Sequence, residues 1–259
     1  MEGSSGPEKQ WPEPNDKGLP SHPFRPPGLE MMMGLGLFFS AFMVQQMGLL
    51  WGFSTHPHVE AAKAEAPLED VIEALQHHGD VVSWSVGWGG TIGTLTILLF
   101  VALWKKKQWR SFLALRTPPL KTALKWMGIF LAFALVIELV VSQFEVLQDP
   151  FTAEVVGTVT KPFLFILCMG IIGPLFEELA FRGLFYGSLR YLLDKHVAIA
   201  IVSGVFTVLH MQYSLAIMFT QVFPLAVLLG YVRSETNSLW PGLLIHILVN
   251  SSALFIASA

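Results

Sequence analysis

Seven long apolar runs constrain this 259-residue chain more than any other feature of its sequence. A helix needs about 20 apolar residues to cross the hydrocarbon core of a bilayer. Hydrophobic residues make up 53% of the chain, charged residues only 14%, and the mean hydropathy is +0.56. The sequence therefore predicts an all-α, polytopic membrane protein with about seven transmembrane helices. We place them at residues 28–53, 81–104, 120–141, 162–189, 197–211, 215–232 and 239–257.

Three regions follow from these runs. Residues 1–27 are polar and rich in proline, which predicts a disordered cytoplasmic tail. Residues 28–159 hold helices one to three and an outer loop, in which 67–78 has apolar residues at helical spacing and predicts a helix on the bilayer surface. Residues 160–259 hold the last four helices, which we interpret as the functional core.

The distribution of basic residues predicts the orientation. If the N-terminus is inside, all but three of the sixteen lysines and arginines lie in cytoplasmic segments. Lys63 and Lys161 then lie outside and Arg182 lies within a span. Since cytoplasmic loops retain lysine and arginine, we expect a cytoplasmic N-terminus and an external C-terminus in a bacterial inner membrane. The net charge of −3, with no basic tract, argues against nucleic acid as a partner.

The fourth span contains three charged residues, and each charge at bilayer depth requires a partner or a purpose. Glu178 and Arg182 are four residues apart on one helix, which favours an ion pair that supports the site. Glu177 points about 100° away from Glu178 and has no neutralising neighbour on its own helix. A purely structural pair at Glu178 and Arg182, and a neutral buried Glu177, remain alternatives.

Three further polar residues lie at similar depth in other spans: His210, His246 and Asn250. A carboxylate and an imidazole that face one water can act together as a general base. We therefore expect Glu177 and His210 to activate water, in a cavity open toward the cytoplasm. His246 and Asn250, four residues apart, can donate to an oxyanion. Each histidine could instead be a hydrogen-bonding residue between helices.

These residues indicate hydrolysis of a peptide bond within the membrane. We expect no cofactor; a zinc site at Glu177, His210 and His246 is the alternative, although a His-Glu-x-x-His motif is absent. The partners would be the lipid bilayer and a peptide or membrane-anchored protein substrate. A non-catalytic binding protein, such as an immunity factor or scaffold, is another interpretation. A transporter is a third, disfavoured because no internal repeat is present.

The motifs resemble those of the CPBP intramembrane endopeptidases, a family that includes type II CAAX prenyl proteases. The family's Glu-Glu-x-x-x-Arg matches Glu177 to Arg182, Phe-x-x-x-His matches Phe206 and His210, and His-x-x-x-Asn matches His246 and Asn250. The resemblance covers about residues 160–257. It implies a glutamate-type endopeptidase in which Glu177 is the base with His210, and His246 and Asn250 form the oxyanion pocket. Its substrate would be a membrane-associated or prenylated protein.

Overall fold

A computed structural model describes residues 26–256, with side chains described through residue 252. The predicted disordered tail therefore lies, up to residue 25, outside the described residues. The described part of the chain consists of helices and their connections. The helices are α1 Pro27–Ser54, α2 Pro57–Lys63, α3 Leu68–Leu75, α4 Gly79–Lys105, α5 Trp109–Phe112, α6 Leu120–Val141, α7 Pro150–Gly157, α8 Pro162–Leu189, α9 Lys195–Val208, α10 Leu215–Thr236 and α11 Trp240–Ile256.

The predicted all-α membrane fold is confirmed, and a helix lies at each of the seven predicted positions. Within residues 26–256, five helices are long and apolar enough to cross a membrane: α1, α4 with its continuation to Phe112, α6, α8 and α10. Helix α9 has only 14 residues, about 21 Å, which is shorter than the hydrocarbon core. The described part of α11 has 17 residues.

The outer connection contains more structure than the sequence indicated. The expected surface helix is present as α3, where Leu68 and Ile72 are exposed but Val71 is buried against Val59 and Val81. Helix α7, which lies in another connection, between α6 and α8, was not predicted. It begins at Pro150, and the Asp149 carboxylate caps it by accepting from the Thr152 amide at 3.1 Å. The connection therefore packs onto the protein rather than lying free on the bilayer.

Helices α1 and α4 approach each other closely because both carry glycine at the contact. A Cβ atom added at Gly48 would lie 2.9 Å from the Cα atom of Gly89, and one at Gly52 would lie 2.9 Å from the Cα atom of Ser85. Small residues with GxxxG spacing let helix backbones meet in this way. The buried Lys105 of α4 also donates to Glu30 of α1.

This contact yields the first prediction. Gly48→Ala should destabilise the protein by about 1–3 kcal/mol, because the added methyl group meets backbone that cannot move away without separating the helices. Gly36→Ala is the matched control, since nothing lies within 4 Å of a Cβ atom at Gly36 on the same helix. Thermal unfolding of both variants in detergent measures the difference. Equal melting temperatures would contradict a tight α1–α4 contact.

The core forms where α1 and α4 pack against α8. The Phe38 ring of α1 stacks on Phe185 of α8 with centroids 4.5 Å apart, and Ile97 of α4 is completely buried in the same cluster. Helix α6 lies at the periphery, where Phe130 is its buried residue and packs near α10 and α11. Helices from both predicted regions, 28–159 and 160–259, therefore share one core, which surrounds the middle of α8.

Candidate active site

The Glu-Glu motif lies where the regular geometry of α8 changes. Helix α8 is π-helical over Ile166–Ile172 and again over Glu178–Phe185, with Glu177 at the end of the α-helical turn between them. Such wide turns are frequent at functional sites because they alter the direction of side chains along a helix. Arg233 of α10 supports the second one by donating from Nε to the carbonyl oxygen of Arg182 at 3.0 Å.

Glu178 and Arg182 form the expected pair, and both side chains are fully buried. The Arg182 guanidinium lies 3.0 Å from Oε1 of Glu178, and its Nη2 atom donates to the carbonyl oxygen of Ala226 at 3.3 Å. The guanidinium also faces the Phe206 ring, with 4.5 Å to the ring centroid. Glu178 is thus neutralised on its own helix, and Arg182 connects α8 to α9 and α10.

His246 of α11 lies between the two glutamates. Its Nδ1 atom is 3.1 Å from Oε1 of Glu178, and its Nε2 atom is 3.6 Å from Oε2 of Glu177. Since the Glu178 carboxylate accepts, His246 donates from Nδ1, and Nε2 is the nitrogen directed toward Glu177. The sequence pattern assigned His246 only to the oxyanion pocket with Asn250, and its position next to both carboxylates depends on helix packing.

The Glu177 side chain is about one quarter exposed, yet its Oε2 atom is buried without a hydrogen-bond partner in the described residues. The Nε2 atom of His246 lies 3.6 Å from it, which is beyond direct hydrogen-bond distance. A buried polar atom without a partner is costly in a native fold, and such atoms mark sites of chemistry or binding. One carboxylate oxygen of Glu177 is therefore available to a water or a substrate.

His210 lies just after the short helix α9. Its Nδ1 atom donates to the carbonyl oxygen of Phe206 at 2.7 Å, which leaves Nε2 of the neutral ring as an acceptor. The ring packs against Phe206, with centroids 4.3 Å apart, and is parallel to Tyr213 at 6.2 Å. These contacts set both the ring orientation and the tautomer that a general base requires.

Asn250, one turn after His246 on α11, is directed toward the backbone of α8. Its Nδ2 atom donates to the carbonyl oxygen of Met169 at 3.2 Å, within the first π-helical stretch. An amide nitrogen carries two hydrogens, so one of them remains for a ligand. Asn250 thus joins α11 to α8, in addition to any role in binding an oxyanion.

A cavity of about 190 Å³ brings Glu177 and His210 to the same space. Its walls come from α1, α4, α8 and the segment after α9, and they are largely apolar apart from Glu177, His210 and three glutamines. The three glutamines are Gln45, Gln46 and Gln212. Two of them lie on α1 and were missed, although a polar pair inside an apolar span is a recognisable sign of function.

The position of the cavity along the helices, combined with the predicted orientation of the chain, does not favour an opening toward the cytoplasm. Its lining residues occupy the second half of α1, from Phe42 to Leu49, and the first half of α4, at Val86 and Gly90. With the N-terminus inside, both segments belong to the outer half of the membrane. Helix α9 ends at Val208, so that His210 reaches the cavity from the segment that follows this helix.

Within the described residues, the side chains of the alternative zinc site do not form a set of metal ligands. Among residues 26–256, no three His, Cys, Asp or Glu side chains converge closely enough to hold a metal ion. Glu177 of α8 and His246 of α11 lie 3.6 Å apart. His210 instead reaches the cavity from the segment after α9.

Comparison with known proteins agrees with these observations. Residues 159–252 match the family model described as Rce1-like, type II CAAX prenyl endopeptidase Rce1-like. No curated protein and no solved structure matches the chain. The match includes Glu177, Glu178, His210, His246 and Asn250, and it confirms the resemblance stated from the motifs. Residues 159–252 of this membrane protein are therefore similar to the Rce1-like type II CAAX prenyl endopeptidases.

Proposed function

We propose that this protein is an intramembrane endopeptidase that hydrolyses a peptide bond of a membrane-associated or prenylated protein. The observation that supports this most directly is the Glu177 carboxylate, which has an unpartnered oxygen and lines the same cavity as His210. A carboxylate and a neutral imidazole nitrogen in one small cavity are suited to remove a proton from water.

In the proposed reaction, Glu177 accepts a proton from a water molecule, and His210 orients that water through its free Nε2 atom. The water oxygen attacks the substrate carbonyl carbon, and the C=O electron pair moves to oxygen. Collapse of this intermediate breaks the C–N bond, and the proton held by Glu177 passes to the leaving amine. Each proton and electron pair is accounted for without a further reactant.

The other site residues stabilise charge. Glu178 fixes the orientation of the His246 ring by accepting from Nδ1–H, and Nε2 can donate to the oxyanion when the ring is an imidazolium with a hydrogen on both nitrogens. Asn250 retains one amide hydrogen for the same purpose. The positive charge of Arg182 balances the Glu178 carboxylate on the same helix.

The apolar cavity walls support a substrate that is held close to the bilayer. Phe42, Leu49, Phe176 and Leu209 line the space next to Glu177. Such walls suit an apolar peptide segment or one next to a lipid anchor, which agrees with the CAAX-type family. We propose a bacterial inner membrane as the location, with the N-terminus in the cytoplasm and the catalytic cavity in the outer half of the bilayer.

This orientation leads to the second prediction, which uses the single cysteine of the chain. In a Cys168→Ala background, Gln212→Cys should react with a membrane-impermeant maleimide added to intact cells, since Gln212 lines the cavity and is exposed. Lys107→Cys is the matched control, since Lys107 is exposed just after the C-terminal end of α4. It should react only after the cells are opened. The reverse labelling pattern would show that the cavity faces the cytoplasm.

The decisive test of the function compares membrane-protein termini in cells that carry the wild type, Glu177→Gln or no copy. New termini that require both the gene and Glu177 would identify the reaction and name the substrate. Identical termini in all three, together with rescue of a deletion phenotype by Glu177→Gln, would contradict proteolysis. That second outcome would favour the binding protein, in which the polar cluster holds helices together.

A further inference from the structure

Helix α1 places two amide side chains on the wall of the catalytic cavity. Gln45 and Gln46 lie on the same helix face as Phe42 and Leu49, at spacings of three, four and seven residues. Gln45 is buried, with 8% of its surface exposed, and accepts from Nε2 of Gln46 at 2.8 Å. Both residues lie far outside the segment that matches the protease family.

The position of Gln45 depends on glycines of α4. A Cβ atom added at Gly93 would lie 2.8 Å from the Cβ atom of Gln45 and 2.6 Å from the Phe176 ring. A Cβ atom at Gly89 would lie 3.0 Å from the carbonyl oxygen of Gln45. Glycine in α4 therefore creates the space in which α1 brings Gln45 next to Phe176, the neighbour of Glu177. The amide pair is held by the packing of three helices.

The pair has hydrogen-bonding capacity that the described residues do not use. The bond from Gln46 to Gln45 occupies one N–H group and one carbonyl oxygen. The Nε2 atom of Gln45 and the Oε1 atom of Gln46 make no hydrogen bond within residues 26–256. Unpartnered amide groups are costly in an apolar environment, so a ligand that supplies both partners gains from binding there.

The chemistry of the pair suits a peptide backbone. A neutral side-chain amide offers a donor and an acceptor side by side, and each peptide unit offers an acceptor and a donor. A lipid chain has neither group. We propose that Gln45 and Gln46 bind the backbone of the substrate next to the scissile bond, so that α1 is part of the substrate site. This inference rests on the proposed endopeptidase function.

The test measures binding separately from cleavage. The probe is a fluorescent farnesylated peptide ending in a Cys-aliphatic-aliphatic-Met sequence, titrated against full-length Glu177→Gln protein in detergent. Adding Gln45→Met and Gln46→Met, which keep side-chain size but remove both amides, should raise the Kd about tenfold, as expected for loss of one or two hydrogen bonds. Met43→Leu with Met47→Leu, on the exposed face of the same helix, is the matched control and should leave the Kd unchanged.

A second peptide separates backbone recognition from a structural effect. In this peptide the backbone amide next to the scissile bond is N-methylated. The methyl group should raise the Kd for the protein that has both glutamines. It should raise the Kd little further for the protein in which both are methionine. The inference would be overturned if N-methylation weakened binding equally in the glutamine and methionine proteins. It would also be overturned if the methionine substitutions left the Kd unchanged, or if the peptide did not bind at all. In the otherwise wild-type enzyme the methionine pair should raise KM more than it lowers kcat. A failure of the endopeptidase proposal would instead appear as cleavage that does not depend on Glu177.

Discussion

Replacing Glu177 with glutamine should lower the rate of peptide cleavage by about 10²- to 10⁴-fold, the range for loss of a general base. Glutamine has nearly the same shape as glutamate but cannot accept a proton from water. The protein should remain folded, because the Glu177 side chain makes no hydrogen bond in the described residues and the His246 ring, 3.6 Å away, already bonds to Glu178. Cleavage of a quenched fluorescent peptide by purified protein in detergent measures the effect.

Glu138 offers a matched control for this substitution. It is also a carboxylate within a predicted span, but it lies exposed on peripheral helix α6 and does not line the cavity. Glu138→Gln should keep the wild-type rate. If Glu177→Gln keeps substantial activity as well, Glu177 is not the base. If both variants lose activity along with their melting transition, the loss reflects unfolding rather than chemistry.

Replacing Arg182 with methionine should destabilise the protein by about 3–5 kcal/mol, the cost of leaving one charge of a buried pair without its partner. Both side chains of the Arg182–Glu178 pair are buried, and the guanidinium also donates to the carbonyl oxygen of Ala226. The remaining Glu178 carboxylate would face apolar surroundings with His246 as its only described partner. Thermal unfolding in detergent and the yield of folded protein measure the change.

An exposed ion pair in the same protein tests whether burial is the reason. Lys195 lies 2.7 Å from Glu235 with both side chains about two-fifths exposed, so Lys195→Met should lower the stability far less than Arg182→Met. Adding Glu178→Leu to Arg182→Met should recover part of the lost stability, because no buried charge remains unpaired. Equal destabilisation by Arg182→Met and Lys195→Met would contradict this account.

Local sequence patterns were sufficient for the fold class and for part of the site. The apolar runs located α1, α4 and α6 to within a few residues, since a spanning helix is defined by its own length and composition. The pairing of Glu178 with Arg182 was also predictable, because residues four apart on one helix are neighbours whatever surrounds them. The family motifs lie within residues 159–252, the segment that matches the family model.

Other features required contacts between distant segments. The outer helix α7 was missed because its eight residues have little periodicity and are placed by packing. The position of His246 between two glutamates depends on how α11 meets a π-helical turn of α8. Motif spacing assumes a regular α-helical period. It therefore predicts neither the π-helical turn of α8 nor the rotation of α11 against that turn.

The sequence by itself determined an all-helical membrane chain, the charges that cannot face lipid, and the ion pair within one helix, because each depends on residues close together along the chain. Only the tertiary structure decided which residues complete the cavity. Helix α9 ends at Val208, so that His210 in the segment after it lines the cavity, and the glycines of α4 let Gln45 of α1 reach the cavity beside Glu177. Both depend on how closely separate helices pack, which is a property of the assembled fold rather than of any one segment.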